Sequence, residues 1–447
     1  MAIDFLVDRF CAKSRSDALV WRGRTVTYGE LIEVMTAWHG RLDSAGIPRG
    51  SVVSLEADHS LNGIALFLVL IERASIIVPL TSSVEARKPD FRRIAEVEAV
   101  IRIDAADRAR MSLTGVKATH LTLLELRKQG RAGLVLFSSG STGEPKAAVH
   151  DLLNILEKFR TQRSTARTMV FLLFDHIGGI NTMLHVLSNT GCMITLQDRR
   201  PEAVCAAIEQ YKVEVLPTSP TFLNLLLLSD AWTRYDLSSL KVITYGTEVM
   251  PESTLLRLRE VFPKATLQQT YGLSEVGILR SKSKSSDSLW VRIGGEGFET
   301  RVVDGLLEIR ARSAMLGYLN APSPFTEDGW FKTGDAVEQD GDYFLIRGRR
   351  SELINVGGEK VYPAEVESVL QEMPGVEDVT VSAEPHAITG QLVKARVKLA
   401  NGESLGEFRR RMVTFCRDRL AGYKIPQKVV LVENAMHGER FKRMRRD

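Results

Sequence analysis

The chain has 447 residues, 44% of them hydrophobic and 26% charged. Those are the proportions of a globular protein with a sizeable core, and the length suits two or three domains at roughly 100–200 residues each. A net charge of only +4 gives no reason to expect nucleic acid or a membrane surface as partner.

The opening MAIDFLVDRF has no basic segment leading into an apolar core, so it does not read as a secretory leader. The greasiest stretch, 64–80, is interrupted by Glu72 and Arg73. That falls short of the ~18–20 uninterrupted apolar residues of a spanning helix. A cytoplasmic chain without membrane insertion is expected. The cysteines Cys11, Cys192, Cys205 and Cys416 form no C-x-x-C pair and read as free thiols. The scattered histidines show no transition-metal spacing.

In chain order, short apolar runs alternate with amphipathic stretches, the pattern of an α/β fold. Residues 134–137 (LVLF) predict a buried strand, followed by a Gly/Ser loop and a helix from Asp151. A strand at 168–173 precedes a helix carrying Met183 and Leu184. Strand 192–196, helix 201–212 and strand 213–216 repeat the theme. Strand 240–245 leads to a helix opening with Pro251 in its first turn. Beyond about 300, Asp-Gly pairs at 304–305, 328–329 and 340–341 punctuate short strands at 306–310 and 343–347. A compact mixed unit follows: helix 363–372, strands 376–381 and 392–399, a basic helix 407–420 and a last strand 429–432. The expected division is residues 1–350 and residues 351–447.

Four segments carry chemistry. Ser138-Ser139-Gly140-Ser141-Thr142-Gly143-Glu144-Pro145-Lys146 follows a strand. Its glycines and hydroxyls suit backbone N–H groups wrapped around an anion, with lysine adding charge; a flexible surface loop is the alternative. A P-loop is excluded, because Pro145 stands where that motif needs its second glycine. Thr270-Tyr271-Gly272-Leu273-Ser274-Glu275 sets a hydroxyl beside a carboxylate, a pairing suited to phosphate and Mg²⁺, or to an ordinary helix start. Trp330-Phe331-Lys332-Thr333-Gly334-Asp335 offers an aspartate for ribose hydroxyls. Gly348-Arg349-Arg350, Gly357-Gly358-Glu359-Lys360 and Tyr362-Pro363-Ala364-Glu365 complete the set; each alone reads equally as a turn.

In this order and spacing the four segments resemble the superfamily of acyl-CoA synthetases, adenylation domains and luciferases. The resemblance runs from Val26-Thr27-Tyr28-Gly29-Glu30-Leu31 to Gly422-Tyr423-Lys424-Ile425-Pro426. It implies a large multi-sheet adenylate-forming domain followed by a small mobile α+β domain turning about Ser351, where the family usually has Asp or Lys. It implies ATP and Mg²⁺, a small carboxylic acid, and CoA or a carrier-protein phosphopantetheine as acceptor.

The resemblance also implies roles. The 138–146 loop would embrace the ATP phosphates, with Thr142 and Lys146 nearest. Tyr271 would flank adenine, Ser274 would meet phosphate, and Glu275 would hold Mg²⁺. Asp335, supported by Arg349, would bind the ribose. Tyr245-Gly246-Thr247-Glu248 would lie between adenine and the acyl pocket. In Phe174-Asp175-His176-Ile177-Gly178-Gly179, His176 would flank the carboxylate. The pocket would include Asp175, His176, Ile180, Met183, Tyr245 and Leu273, which favours an aliphatic or aromatic acid over an amino acid. Gly357, Gly358, Glu359 and Lys360 would form the thiol-accepting face.

The family's catalytic lysine lies in a Pro-x-Thr-x-x-Gly-Lys-x-x-Arg pattern near the C-terminus. Here Lys442 and Arg445 occupy the Lys and Arg positions, while Met436, Gly438 and Phe441 replace Pro, Thr and Gly. The same stretch also reads as a solvated basic tail, in which Arg443 would do little. The implied reaction forms an acyl-AMP and transfers the acyl group to a thiol, most simply CoA. A stand-alone loader of a carrier protein and a non-catalytic binding descendant are the alternatives.

Overall fold

The computed structural model describes residues 2–139, 144–295, 297–400, 402–434, 436–438 and 441–445. Gly140, Ser141, Thr142 and Gly143 of the expected phosphate loop lie outside the described residues.

Two seven-stranded sheets dominate the first 320 residues. One runs in the order Gly317–Tyr318, Pro145–Asp151, Gly133–Ser139, Ile76–Leu80, Val52–Glu56, Ala99–Ile103, Ala109–Leu113. Its four central strands, Gly133–Ser139, Ile76–Leu80, Val52–Glu56 and Ala99–Ile103, are parallel and mostly apolar, as strands covered on both faces must be, while Pro145–Asp151 runs antiparallel to both of its neighbours. The other runs Thr266–Gln269, Val242–Tyr245, Val215–Thr218, Arg167–Val170, Cys192–Thr195, Asp17–Trp21, Arg24–Thr27. Side chains of both sheets share one core with helices Tyr28–Ser44, Leu61–Glu72 and Ile177–Ser188. Leu61–Glu72 is apolar nearly all round because it lies inside that core, not because it spans a bilayer. No helix among the described residues is long and apolar enough to cross a membrane.

A six-stranded antiparallel sheet follows, ordered Ser281–Ser283, Trp290–Ile293, Tyr343–Arg349, Phe331–Asp340, Leu306–Ala311, Phe298–Val303. The last unit has its own core, from Ile354 to Val429. There Gly390–Leu399 pairs antiparallel with Val376–His386 and parallel with Lys428–Leu431. Helices Pro363–Gln371 and Leu405–Cys416 supply the rest of that core.

Local signals placed most elements, with instructive shifts. The strand expected at 168–173 ends at Val170. Leu173 turns instead, its carbonyl accepting from His176 N at 3.1 Å. That turn lies against the next helix so closely that a Cβ on Gly179 would sit 1.9 Å from the Leu173 carbonyl oxygen. Pro251 is the N-cap of helix Glu252–Val261, not its first turn. The basic helix starts earlier, at Leu405, because Ser404 and Glu407 form a reciprocal capping box, and it stops at Cys416.

Candidate active site

The site forms where parallel strands of both sheets end and the antiparallel sheet meets them, the crevice at carboxyl ends where α/β sheets bind ligands. Ser138 and Lys146 face each other across the hairpin that leads into and out of the glycine-rich loop. Ser138 Oγ donates to Glu275 Oε1 at 3.3 Å, and Tyr318 Oη donates to the same oxygen at 2.9 Å. The Lys146 ammonium stands 5.5 Å from the Tyr318 ring centroid. Burial, and then the Glu275 charge, push the Tyr318 hydroxyl far above its ordinary range, so it stays a donor. Among the described residues both hydrogen bonds to the Glu275 carboxylate go to Oε1.

His150, which sequence reasoning did not single out, braces this corner. It is fully buried, its Nε2 lies 2.6 Å from the Ser274 carbonyl, and its Nδ1 lies 3.3 Å from that of Ser313. The shorter contact places the proton on Nε2, and burial pushes the ring toward the neutral form. The Glu275 carbonyl accepts from Met315 N at 2.7 Å, so the segment is held from both sides.

The second cluster is built across adjacent strands. Asp335 and Arg349 are direct register partners, and Arg349 Nε sits 2.7 Å from Asp335 Oδ1. Tyr271 Oη donates to Asp335 Oδ2 at 2.5 Å, and Arg349 Nη1 donates to the Thr333 carbonyl at 2.9 Å. Burial pushes the Asp335 carboxyl up, against the pull of Arg349 and Tyr271. The Tyr271 ring is itself buried and tied to Asp335. Glu275 acts electrostatically on both Asp335 and Arg349, so the two clusters share one field.

Tyr245-Gly246-Thr247-Glu248 runs alongside Thr270, at the start of the segment that carries Tyr271 and Glu275. Thr270 N donates to the Tyr245 carbonyl at 2.7 Å. A Cβ at Gly246 would lie 2.6 Å from Thr270 Oγ1 and 2.7 Å from Thr270 O, so only glycine allows this approach. Thr247 has φ 73°, a left-handed conformation unusual for a β-branched residue. His176 caps helix Ile177–Ser188, its Nδ1 accepting from Gly178 N at 3.0 Å, which leaves the proton of the neutral ring on Nε2. Asp175 is buried with Oδ2 accepting from Thr81 Oγ1 at 2.9 Å. Ile180, Met183 and Tyr245 are buried, and Leu273 is half-buried.

The described residues of the C-terminal segment pack against Ser219 and Glu248 and do not form a solvated tail. Lys442 lies within electrostatic reach of Glu248. Its neighbours are held on both sides by the large unit. Ser219 Oγ donates to the Phe441 carbonyl at 2.8 Å, and Arg443 N donates to Glu248 Oε2 at 3.4 Å. Thr221 Oγ1 donates to the Glu248 carboxylate at 2.9 and 3.0 Å. Arg443 and Arg445 are not solvated: both pair with the buried Glu367 of helix Pro363–Gln371, at 2.9 and 2.7 Å. A buried carboxylate needs such partners, and Val381 N donates to it as well, at 2.9 Å. Ser351 lies exposed in the single turn Arg350–Glu352, and Gly357, Gly358, Glu359 and Lys360 lie exposed at the turn between Ile354–Val356 and Glu359–Val361.

A family model described as AMP-binding enzyme matches residues 8–306, and one described as AMP-binding enzyme C-terminal domain matches 365–440. The chain is 30% identical to indoleacetate–CoA ligase of Aromatoleum aromaticum, over 67% of this chain and 63% of that protein, less than two thirds of its length. It is 26% identical to 2-succinylbenzoate–CoA ligase of Listeria monocytogenes over 96% of this chain and 95% of that one. In fold it is similar to the anthranilate CoA ligase AuaEII in complex with anthranoyl-AMP, with a TM-score of 0.82, 20% identity and coverage of 96% and 93% of the two chains.

Proposed function

The chain belongs to the AMP-binding enzyme family, and from that premise we propose that it joins an aliphatic or aromatic carboxylic acid to CoA through an acyl-AMP. One observation carries the reading. Lys442 is seated beside Glu248 by backbone bonds on either side, and Glu248 ends the Tyr245–Gly246–Thr247–Glu248 segment that packs on Thr270, the residue leading to Tyr271 and Glu275. A cation held at that point meets the need of the first step, which is stabilisation of charge as it develops on phosphate.

In that step a carboxylate oxygen of the acid bonds to the α-phosphorus of ATP, and the bond to pyrophosphate breaks. Lys442 bridges the acid and the α-phosphate, Lys146 draws charge from the leaving group, and Asp335 holds the ribose hydroxyls. Among the described residues no group of three or more His, Cys, Asp or Glu is placed to hold a metal. Glu275 would hold a Mg²⁺ ion that enters with ATP, and the ion would neutralise phosphate charge there.

In the second step the thiolate sulfur bonds to the acyl carbon, and the acyl–phosphate anhydride bond breaks to release AMP. The small unit, 351–447, turns about Ser351, Lys442 leaves, and the Gly357–Gly358–Glu359–Lys360 turn takes its place. Such a division of labour is conformational gating. Support for an acid with an apolar side chain comes from the buried Ile180, Met183 and Tyr245. Support for CoA comes from the two relatives above, both CoA ligases.

The test is pyrophosphate release over a panel of aliphatic, aryl and amino acids, with CoA, with a phosphopantetheinylated carrier protein, and with neither. Release with an aryl or alkyl acid and a CoA thioester as product supports the reading. Thioester only on the carrier, or release only with amino acids, overturns it.

A further inference from the structure

Phe441 immediately precedes Lys442 and does something a tail residue has no need to do. Its backbone sits at φ 50°, a left-handed conformation that a bulky side chain adopts only against its own preference. A glycine would adopt it freely. Something must hold the phenyl ring in place, and the contacts identify it. The ring centroid lies 5.3 Å from Phe171 and 5.6 Å from Phe222, the latter nearly edge-on at 88°. His437 stacks on it at 5.3 Å, and the Arg199 guanidinium stands 5.4 Å from its centroid and 5.8 Å from that of Phe171. Phe171 and Phe222 belong to the core of the second large sheet, and Phe441 packs onto that core from the far end of the chain. The offset and edge-on distances are those at which aromatic pairs attract, and the cation over the ring adds to this.

The backbone agrees with the ring. The Phe441 carbonyl accepts from Ser219 Oγ, the hydroxyl that also caps helix Pro220–Leu228, and its N–H donates to the Gly438 carbonyl at 2.9 Å. The seat is therefore made from the large unit and filled by the residue that carries Lys442.

We propose that Phe441 is a positioning residue: its ring, seated in the Phe171–Phe222–Arg199 cup, holds Lys442 in the adenylating arrangement and resists its departure for thiol transfer. This rests on the role of Lys442 proposed above. The ring should favour the first half-reaction and delay the second.

The test uses the full chain with Phe441→Gly, Phe441→Tyr and Lys442→Ala, and the acid found by the pyrophosphate screen. Phe441→Gly relieves the backbone and removes the ring. Adenylation should fall by roughly tenfold or more, the scale of one lost set of aromatic contacts. Thioester formation from supplied acyl-AMP should be unchanged or faster, and the melting temperature should stay within a few degrees. Phe441→Tyr should retain adenylation within about twofold, because the ring is kept. A readout independent of turnover is trypsin cleavage in the 442–445 segment of the ligand-free protein, which should be several-fold faster in Phe441→Gly than in Phe441→Tyr. Normal adenylation in Phe441→Gly, equal loss of both half-reactions, or unchanged cleavage overturns the proposal. If Lys442→Ala abolishes adenylation while Phe441→Gly does not, only this inference fails. If Lys442→Ala adenylates normally, the reading beneath it fails as well.

Discussion

Arg443 and Glu367 form an ion pair at 2.9 Å, with side chains only 6% and 0% exposed, between the end of the chain and helix Pro363–Gln371. Arg445 joins the same carboxylate and also reaches Glu352 at 2.7 Å. Both arginines follow Lys442 within three residues, so the ion cluster fastens that segment to the small unit while Ser219 and Glu248 fasten it to the large one.

Arg443→Ala should therefore be costly, contrary to what a solvated tail implies. Removing one partner of a buried pair costs about 3–5 kcal/mol when the other is left alone. Arg445 remains, so about 2 kcal/mol is expected, read from the midpoint of urea unfolding of the small unit. Adenylation should fall with it. A variant as stable and active as the parent would show that Arg445 alone satisfies Glu367.

The same cluster sets an acid limit. Burial pushes the Glu367 carboxyl up, but Arg445 and Arg443 outweigh it and hold it at about 2, below the ordinary 4.5. A depressed carboxylate contributes stability that is fully present above the unfolded value and is lost as pH falls toward the folded one. Stability should decline between pH 4.5 and about 2, and Arg445→Ala should shift that decline upward. Thermal melts over this range measure it, and identical profiles in parent and variant would remove Glu367 as the source.

Lys442→Ala should lower acyl-AMP formation by about two orders of magnitude, equal to roughly 2.7 kcal/mol of transition-state stabilisation, while thiol transfer from supplied acyl-AMP survives. Lys424 is the control. It is held at 2.5 Å by Glu365 within the small unit, and its alanine variant should adenylate. The reverse pattern would move the catalytic assignment to Lys424.

Glu275→Ala removes the carboxylate expected to meet Mg²⁺ and should cost about 10²–10³ in adenylation. Tyr318→Phe removes one of its two donors and should cost far less, near the ~1 kcal/mol of a single hydrogen bond. A Mg²⁺ titration of initial rates separates the two. Equal requirement for Mg²⁺ in parent and Glu275→Ala would take the ion away from this residue.

Gly246→Ala should impair adenylation even though it adds one methyl group. That methyl meets Thr270 at 2.6 Å, and moving Thr270 displaces the segment leading to Tyr271 and Glu275. Overpacking of this kind costs about 1–3 kcal/mol. Rates and melting temperature together test it; a fully active, fully stable variant would mean the segment yields without consequence.

The local parts of this protein were legible in its sequence because their causes are local. Periodicity places the parallel strands, and Thr27 with Glu30, and Ser404 with Glu407, cap their helices within four residues. Each motif is confined to one short segment, so its residue types stand together in the chain. One long-range feature left a trace: Glu367 lies on the buried stripe with Pro363, Val366 and Leu370, and a carboxylate there signals a hidden cation. Which cation was not written nearby. Arg443 and Arg445 lie more than 70 positions away, and the cup for Phe441 is more than 200 away. A string of arginines has the same composition whether it meets water or a buried glutamate. The sequence by itself determined the fold class and the family. Only the tertiary structure decided that Phe441, Arg443 and Arg445 are packed against both units rather than solvated, because that packing comes from desolvated contacts between segments that share no local pattern.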